Sequence, residues 1–240
     1  MLESTLKEQL KGIFAGLNAN YTFDISISPA YESRQELLDL LGDVASCSDK
    51  ISMQVSDGEG LEFILLKDGA KTGIKFRGVP NGHEFTSLLL AILNSDGKGK
   101  NFPDESICNR VKALNGPIHL TTYVSLTCTN CPDVVQALNA MTTLNPQIHH
   151  EMVDVEDHTG IHPSFKQNTS KSSVASTKDG IAVPSVVKNT IRRSGSLFLV
   201  SAAILPNITP MIMATIAAIP PNFADTANFL EISVPIFLPL

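Results

Sequence analysis

Two cysteines stand three positions apart in the segment Cys128-Thr129-Asn130-Cys131-Pro132, which follows an extended run and precedes a helical pattern. Thiols at this spacing can close into a disulfide within one turn of chain. A helix that begins there lowers the pKa of the first thiol, because its unpaired N–H groups and its dipole favour the thiolate. The thiolate is the species that attacks disulfides. The segment therefore predicts a site of thiol–disulfide exchange.

Two other interpretations of this pair are half of a zinc site and structural or chance cysteines without a chemical role. A zinc site needs a second Cys or His pair at ligand spacing. The remaining cysteines, Cys47 and Cys108, are single and far apart. The adjacent His149 and His150 would point to opposite faces of a strand. The spacing favours redox chemistry over both alternatives.

The composition narrows the classes of function. The chain has 240 residues, a net charge of −6, no Trp and three Tyr. Nucleic-acid binding is disfavoured, because it needs a basic face and aromatic stacking. Four cysteines and an opening segment without a cationic leader argue against a secreted, disulfide-stapled protein. We expect a cytoplasmic protein.

Apolar periodicity predicts an α/β fold. Helical stripes cover 5–17, 33–45, 83–93, 104–114 and 132–144, and strands cover 21–27, 51–55, 61–66, 73–76, 118–125 and 147–153. The order contains a repeat, since 21–55 and 120–153 both run strand, turn, helix, strand. The first copy also has a hairpin and a closing helix, which the second lacks. We therefore predict two tandem thioredoxin-like folds, the second incomplete.

The turn Gly78-Val79-Pro80 follows the last strand of the first copy. Thioredoxin-like folds place a cis proline at this point, facing the active site, and cis X–Pro bonds are specific, positioned features. We therefore expect Pro80 to be the cis proline of the first fold.

Three segments together resemble a known family. They are Phe76-Arg77-Gly78, the run from Gly82-His83-Glu84 to Leu88, and above all the run from Tyr123 through the two cysteines to Asn139. Over about residues 1–154 the chain is similar to the N-terminal domain of the alkyl hydroperoxide reductase flavoprotein. The resemblance implies two fused thioredoxin-like folds, of which only the second has a working dithiol.

The resemblance also implies roles and partners. Cys128 would be the attacking thiol and Cys131 the resolving thiol. Glu84 would be an acid near the dithiol that raises a thiol pKa or shuttles its proton; without the resemblance, a solvated helix residue is the favoured interpretation. The family relays electrons from a reductase body that binds FAD and NAD(H) to a peroxiredoxin, the peroxidase component of the same alkyl hydroperoxide reductase system. A homodimer is a further implication of the family.

The resemblance ends near residue 154. We divide the chain into a first fold at 1–100, the start of a second fold with the CxxC at 101–154, and an irregular tail at 155–240. We interpret this tail as out-of-frame translation. A membrane span over 197–219 is the alternative, although Pro206 and Pro210 interrupt it. No Gly-x-Gly-x-x-Gly occurs, so we expect no cofactor in this chain.

The function that we predict is a thiol–disulfide electron-transfer module in peroxide detoxification. The alternatives are an inactive remnant and a membrane-anchored thioredoxin-like protein.

Overall fold

The computed structural model describes residues 2–99, 102–155, 197–199 and 230–235. The first part forms one complete α/β unit. Its elements are α1 (Ser4–Phe14), β1 (Tyr21–Ile27), α2 (Arg34–Ala45), β2 (Ile51–Asp57), β3 (Leu61–Lys67), β4 (Ala70–Arg77), a 3₁₀ turn (Gly82–Glu84) and α3 (Phe85–Ser95). The second part repeats the beginning of this order. Its elements are α4 (Glu105–Lys112), β5 (Ile118–Val124), α5 (Cys131–Leu144) and β6 (Ile148–Asp154).

The strands form one sheet in the order β2-β1-β3-β4-β6-β5, with two further strands beyond β5. In the first unit, β1 is parallel to β2 and antiparallel to β3, which pairs with β4 as a hairpin. In the second unit, β5 and β6 repeat the parallel pair. Parallel pairing of β4 with β6 joins the two units. The predicted α/β fold with two tandem thioredoxin-like units is confirmed.

The alternation of buried and partly exposed side chains along the strands shows which face of the sheet packs against the core. In β1, Tyr21, Phe23 and Ile25 are fully buried, and the residues between them are partly exposed. The buried side chains pack with α1, α2 and α3 in one hydrophobic cluster. Each such side chain contributes about 1.5–3 kcal/mol of burial free energy. A second cluster joins α4, α5, β5 and β6.

The opposite face of the sheet, which we call the open face, carries charged side chains where the two units meet. Lys75 Nζ lies 2.9 Å from Glu62 Oε2 and 3.2 Å from Glu151 Oε1. Arg77 Nε lies 3.2 Å from the same Glu62 oxygen and 3.6 Å from that of Glu151. Because these groups are partly exposed, each pair contributes no more than about 1 kcal/mol. Together they connect β3 and β4 of the first unit with β6 of the second.

Most of the predicted tail lies outside the described residues. Two pieces of it form strands, β7 (Leu197–Leu199) and β8 (Leu230–Pro235). β8 pairs in parallel with β5, and β7 pairs with β8. β8 therefore covers this edge of β5, because unpaired backbone groups along an edge accept an extended segment of the chain.

β8 does not reproduce the hairpin that the second unit lacks. In the first unit, the strand on that side of the central strand is β3, and it runs antiparallel to β1. β8 runs parallel to β5. The interpretation of the tail as out-of-frame translation concerns mostly residues outside the described ranges. The same holds for the alternative membrane span over 197–219, apart from 197–199. Within the described ranges, every helix is too short or too polar to cross a bilayer.

Candidate active site

The turn between β5 and α5 positions the two cysteines. The backbone N–H of Cys128 donates to the carbonyl of Ser125 at 2.9 Å, and the hydroxyls of Ser125 and Thr127 lie 3.0 Å apart. α5 begins at Cys131, and Pro132 follows in its first turn. A proline there removes no helical hydrogen bond, since the first N–H groups of a helix have no partner within it. The chain therefore turns sharply after β5, and α5 starts at the second cysteine.

Cys128 and Cys131 are joined by a disulfide, with their Cα atoms 5.5 Å apart. Cys128 is 3% exposed and Cys131 is 0% exposed. Both side chains belong to the hydrophobic cluster of the first unit, although both come from the second. Cys128 is thus slightly the more exposed of the two. Even so, an incoming disulfide can reach Cys128 only if the residues that cover it move.

Glu84 lies at the end of the 3₁₀ turn that packs against α5. The approach of the two segments is close, because a Cβ at Gly82 would stand 3.3 Å from the carbonyl oxygen of Leu126. Glu84 is completely buried, so the solvated alternative is wrong. Among the described residues, neither of its carboxylate oxygens has a hydrogen-bond partner.

Burial raises the pKa of Glu84 from 4.5 to about 7, because a buried charge loses its hydration. The hydroxyl of Ser87 opposes this change, although it lies outside good hydrogen-bonding geometry. Repulsion from Asp154 and Asp133 adds to the rise. The carboxyl therefore changes its protonation near neutral pH, as a group that accepts and releases protons must.

Asp154 and Asp133 are members of this site that the sequence analysis missed. Asp133 is in the first turn of α5, and Asp154 ends β6, in register with Val124 at the end of β5. The carboxyl ends of adjacent parallel strands lie at one edge of a sheet. The position of Asp154 at the end of β6, parallel to the strand that precedes the CxxC, could therefore have predicted that it lies at the site. Asp154 is 2% exposed.

The expectation of a cis bond at Pro80 is wrong. Within the described residues, the cis peptide bond is Gly116–Pro117. After β4 the chain turns at Gly78, whose φ of +124° suits glycine. Pro80 is then the central residue of a three-residue turn closed by a 2.8 Å hydrogen bond from Asn81 N–H to the carbonyl of Val79. The fixed φ of proline suits this turn in the trans form.

A buried polar trio lies beneath α5. His150 Nδ1 is 2.7 Å from Asn139 Oδ1, and its Nε2 is 2.8 Å from the hydroxyl of Thr122. The amide oxygen can only accept, so Nδ1 carries the proton and Nε2 accepts from Thr122. Burial lowers the pKa of His150 to about 3. The ring is therefore neutral and connects the second unit's strands to its helix.

Solved structures with this architecture place the chain in a family. The NTD_N/C domain of the alkyl hydroperoxide reductase AhpF from Enterococcus faecalis is similar with a TM-score of 0.60 and 32% identity, over 70% of this chain and 84% of that one. The chain belongs to the AhpF family of alkyl hydroperoxide reductases. A protein disulfide oxidoreductase from Aeropyrum pernix shares the fold, with a TM-score of 0.57, 18% identity, and coverage of 67% of this chain and 79% of that one.

Curated AhpF proteins agree with this placement. The chain is 42% identical over 156 residues to the AhpF protein of Pseudomonas aeruginosa, and 41% identical over 155 residues to that of Staphylococcus aureus. Each match covers 64% of this chain but 30% of the relative. The match thus spans less than a third of the length of these AhpF proteins. No family profile matches the chain.

Proposed function

We propose that this AhpF-type domain is a dithiol relay that passes two electrons to the disulfide of a peroxiredoxin. The observation that carries the proposal is the Cys128–Cys131 disulfide at the start of α5, packed against a first unit that has no cysteine at the matching turn. Cys47 and Cys108 are free thiols, and Cys47 is buried.

The proposed exchange balances in two steps. The Cys128 thiolate attacks one sulfur of the partner's disulfide, which forms a mixed disulfide and releases one partner thiolate. The Cys131 thiolate then attacks the Cys128 sulfur, which releases the second partner thiolate and closes the Cys128–Cys131 bond. Two electrons pass to the partner, and the two protons of the dithiol pass to the two partner thiolates.

Glu84 has a proposed role in this proton transfer as a positioning and proton-accepting group. Its pKa of about 7 allows it to take a proton from an attacking thiol and to give it to a departing thiolate at neutral pH. When it is ionised, its charge disfavours a second negative charge on a neighbouring thiol. Both effects require its burial against α5, which the first unit provides.

The source of the electrons is proposed to lie outside the described residues. FAD and NAD(H) chemistry needs a glycine-rich turn between a strand and a helix, where the backbone approaches a pyrophosphate. Of the three such turns of the described chain, those at 28–33 and 125–130 contain no glycine, and the one at 78–84 has Gly78 and Gly82 without the Gly-x-Gly-x-x-Gly order. They do not fit a dinucleotide, so re-reduction of the dithiol is assigned to a separate flavin- and nicotinamide-binding reductase. A cytoplasmic location fits a dithiol that must be kept reduced.

The test uses the full chain with an oxidised peroxiredoxin. We expect no NADH oxidation by the two proteins alone. After reduction with dithiothreitol and desalting, we expect each chain to reduce one partner disulfide once. Cys131→Ser should accumulate the mixed disulfide on a non-reducing gel, whereas Cys128→Ser, the matched control, should form none.

Two results would count against this proposal. Sustained NADH oxidation by the purified chain would contradict the separate reductase. Failure of the pre-reduced chain to transfer two electrons would favour the inactive remnant instead, since the second unit lacks its own hairpin and closing helix within the described residues.

A further inference from the structure

We infer that His119 and His149 form a binding site for a late first-row transition-metal ion, such as Ni²⁺, Cu²⁺ or Zn²⁺, on the open face of the sheet. The two residues stand directly opposite each other on the parallel strands β5 and β6. Their imidazole rings are stacked, with centroids 5.0 Å apart and planes 21° from parallel.

The alternation of β5 and β6 separates this pair from the dithiol. Leu120 and Ile148, the neighbours of the two histidines along their strands, are buried in the cluster that contains α5. His119 and His149 therefore point to the other face and are partly exposed. They share that face with Glu151, two residues beyond His149. An ion can reach the pair without disturbing the helices that cover the disulfide.

The pair has the chemistry of a two-ligand metal site. Zn²⁺ and related ions bind imidazole nitrogen at about 2.0–2.1 Å, so two ligating nitrogens lie about 3 Å apart. The χ2 torsion of histidine is broad, and binding requires both rings to rotate out of the stack so that one nitrogen of each points to the same ion. Gly73 on the neighbouring strand leaves room for this movement, because a Cβ there would stand 3.3 Å from His149 Nδ1.

Imidazole nitrogen is a ligand suited to late first-row transition-metal ions. Imidazole pairs select Zn²⁺, Cu²⁺ and Ni²⁺ over Mg²⁺ and Ca²⁺, which prefer oxygen ligands.

The site is an open one. Within the described residues, no cluster of three or more His, Cys, Asp or Glu side chains surrounds it. Water would complete the coordination of the ion.

Ni²⁺ is a suitable probe, used with the oxidised full chain so that the dithiol cannot compete. Three other histidines are first replaced in a background variant, His83→Gln, His158→Gln and His162→Gln, which leaves the pair and the buried His150. Isothermal titration should show one Ni²⁺ per chain in this background. His119→Gln or His149→Gln should each weaken binding on the order of 10²-fold, because the second ligand acts at high effective concentration.

A second measurement needs no variant. Ni²⁺ should protect His119 and His149 of the unmodified chain from diethyl pyrocarbonate, as seen by peptide mass spectrometry, and should leave the exposed His83 reactive. Equal labelling of the pair with and without Ni²⁺ would overturn the inference. So would Ni²⁺ binding that survives both single substitutions.

Discussion

Replacing the buried acid of the 3₁₀ turn, Glu84→Gln, should change how the stability of the oxidised chain depends on pH. The pKa of Glu84 is raised from 4.5 in its ordinary state to about 7 in the fold. The folded state thus holds a proton that the unfolded state loses, and stability falls as pH rises from 4.5 to 7. At about 1.4 kcal/mol for each tenfold change in protonation, the loss is about 3 kcal/mol. Gln keeps the shape and cannot ionise.

Urea denaturation at pH 4, 6 and 8 measures this effect. The free energy of unfolding of Glu84→Gln minus that of the unaltered chain should rise by about 3 kcal/mol between pH 4 and pH 8. Over pH 4.5–6.5 the buried His150 changes stability in the opposite direction, so only the difference between the two chains isolates Glu84. Glu59→Gln, at an exposed glutamate, is the matched control and should show no such rise. A difference that stays constant from pH 4 to pH 8 would refute the burial argument.

Three other substitutions test the fold, each by urea denaturation. His150 has a lowered folded pKa of about 3, so acid favours the unfolded state from pH 6.5 downward; the unaltered chain should lose up to about 5 kcal/mol more than His150→Gln between pH 7 and pH 3. Asp96 accepts hydrogen bonds from the N–H groups of Asn18 and Ala19 and from the Tyr21 hydroxyl, so Asp96→Asn should cost about 2–4 kcal/mol at pH 7. Gly78→Ala should cost about 2–3 kcal/mol, because φ is +124° and the new Cβ would meet Asp154. Costs within experimental error of zero would contradict the last two arguments.

Local patterns were sufficient for the elements and for the redox pair. The strand Tyr21–Ile27 and the helix that starts at the second cysteine depend on side-chain alternation and on hydrogen bonds between near neighbours, and both can be predicted from the residues themselves. The same holds for the repeat of strand, turn, helix and strand. This repeat identified the second copy as the one with cysteines at its turn. The roles of Cys128 and Cys131 in exchange stay predictions.

Contacts between distant segments decided the environment of those residues. Whether Glu84 is solvated or buried depends on the 3₁₀ turn meeting α5, more than 40 positions later in the chain. Likewise, Gly78 turns the chain beside Asp154, and Pro80 is trans in the turn that follows. These contacts are long-range and have no local periodic signal. For this reason the sequence-based prediction of a cis bond at Pro80 was wrong, and the burial of Glu84 could not be predicted.

What the sequence alone determined is therefore the order of the elements, the two-unit fold and the pair of thiols at a helix start, because each is set by neighbours along the chain. What only the tertiary structure decided is the environment of that pair: the first unit covers the disulfide, Glu84 loses water, and two histidines about 30 positions apart come face to face. The physical reason is that pKa, access and metal binding follow from desolvation and proximity in space. Those quantities exist only once distant segments have packed.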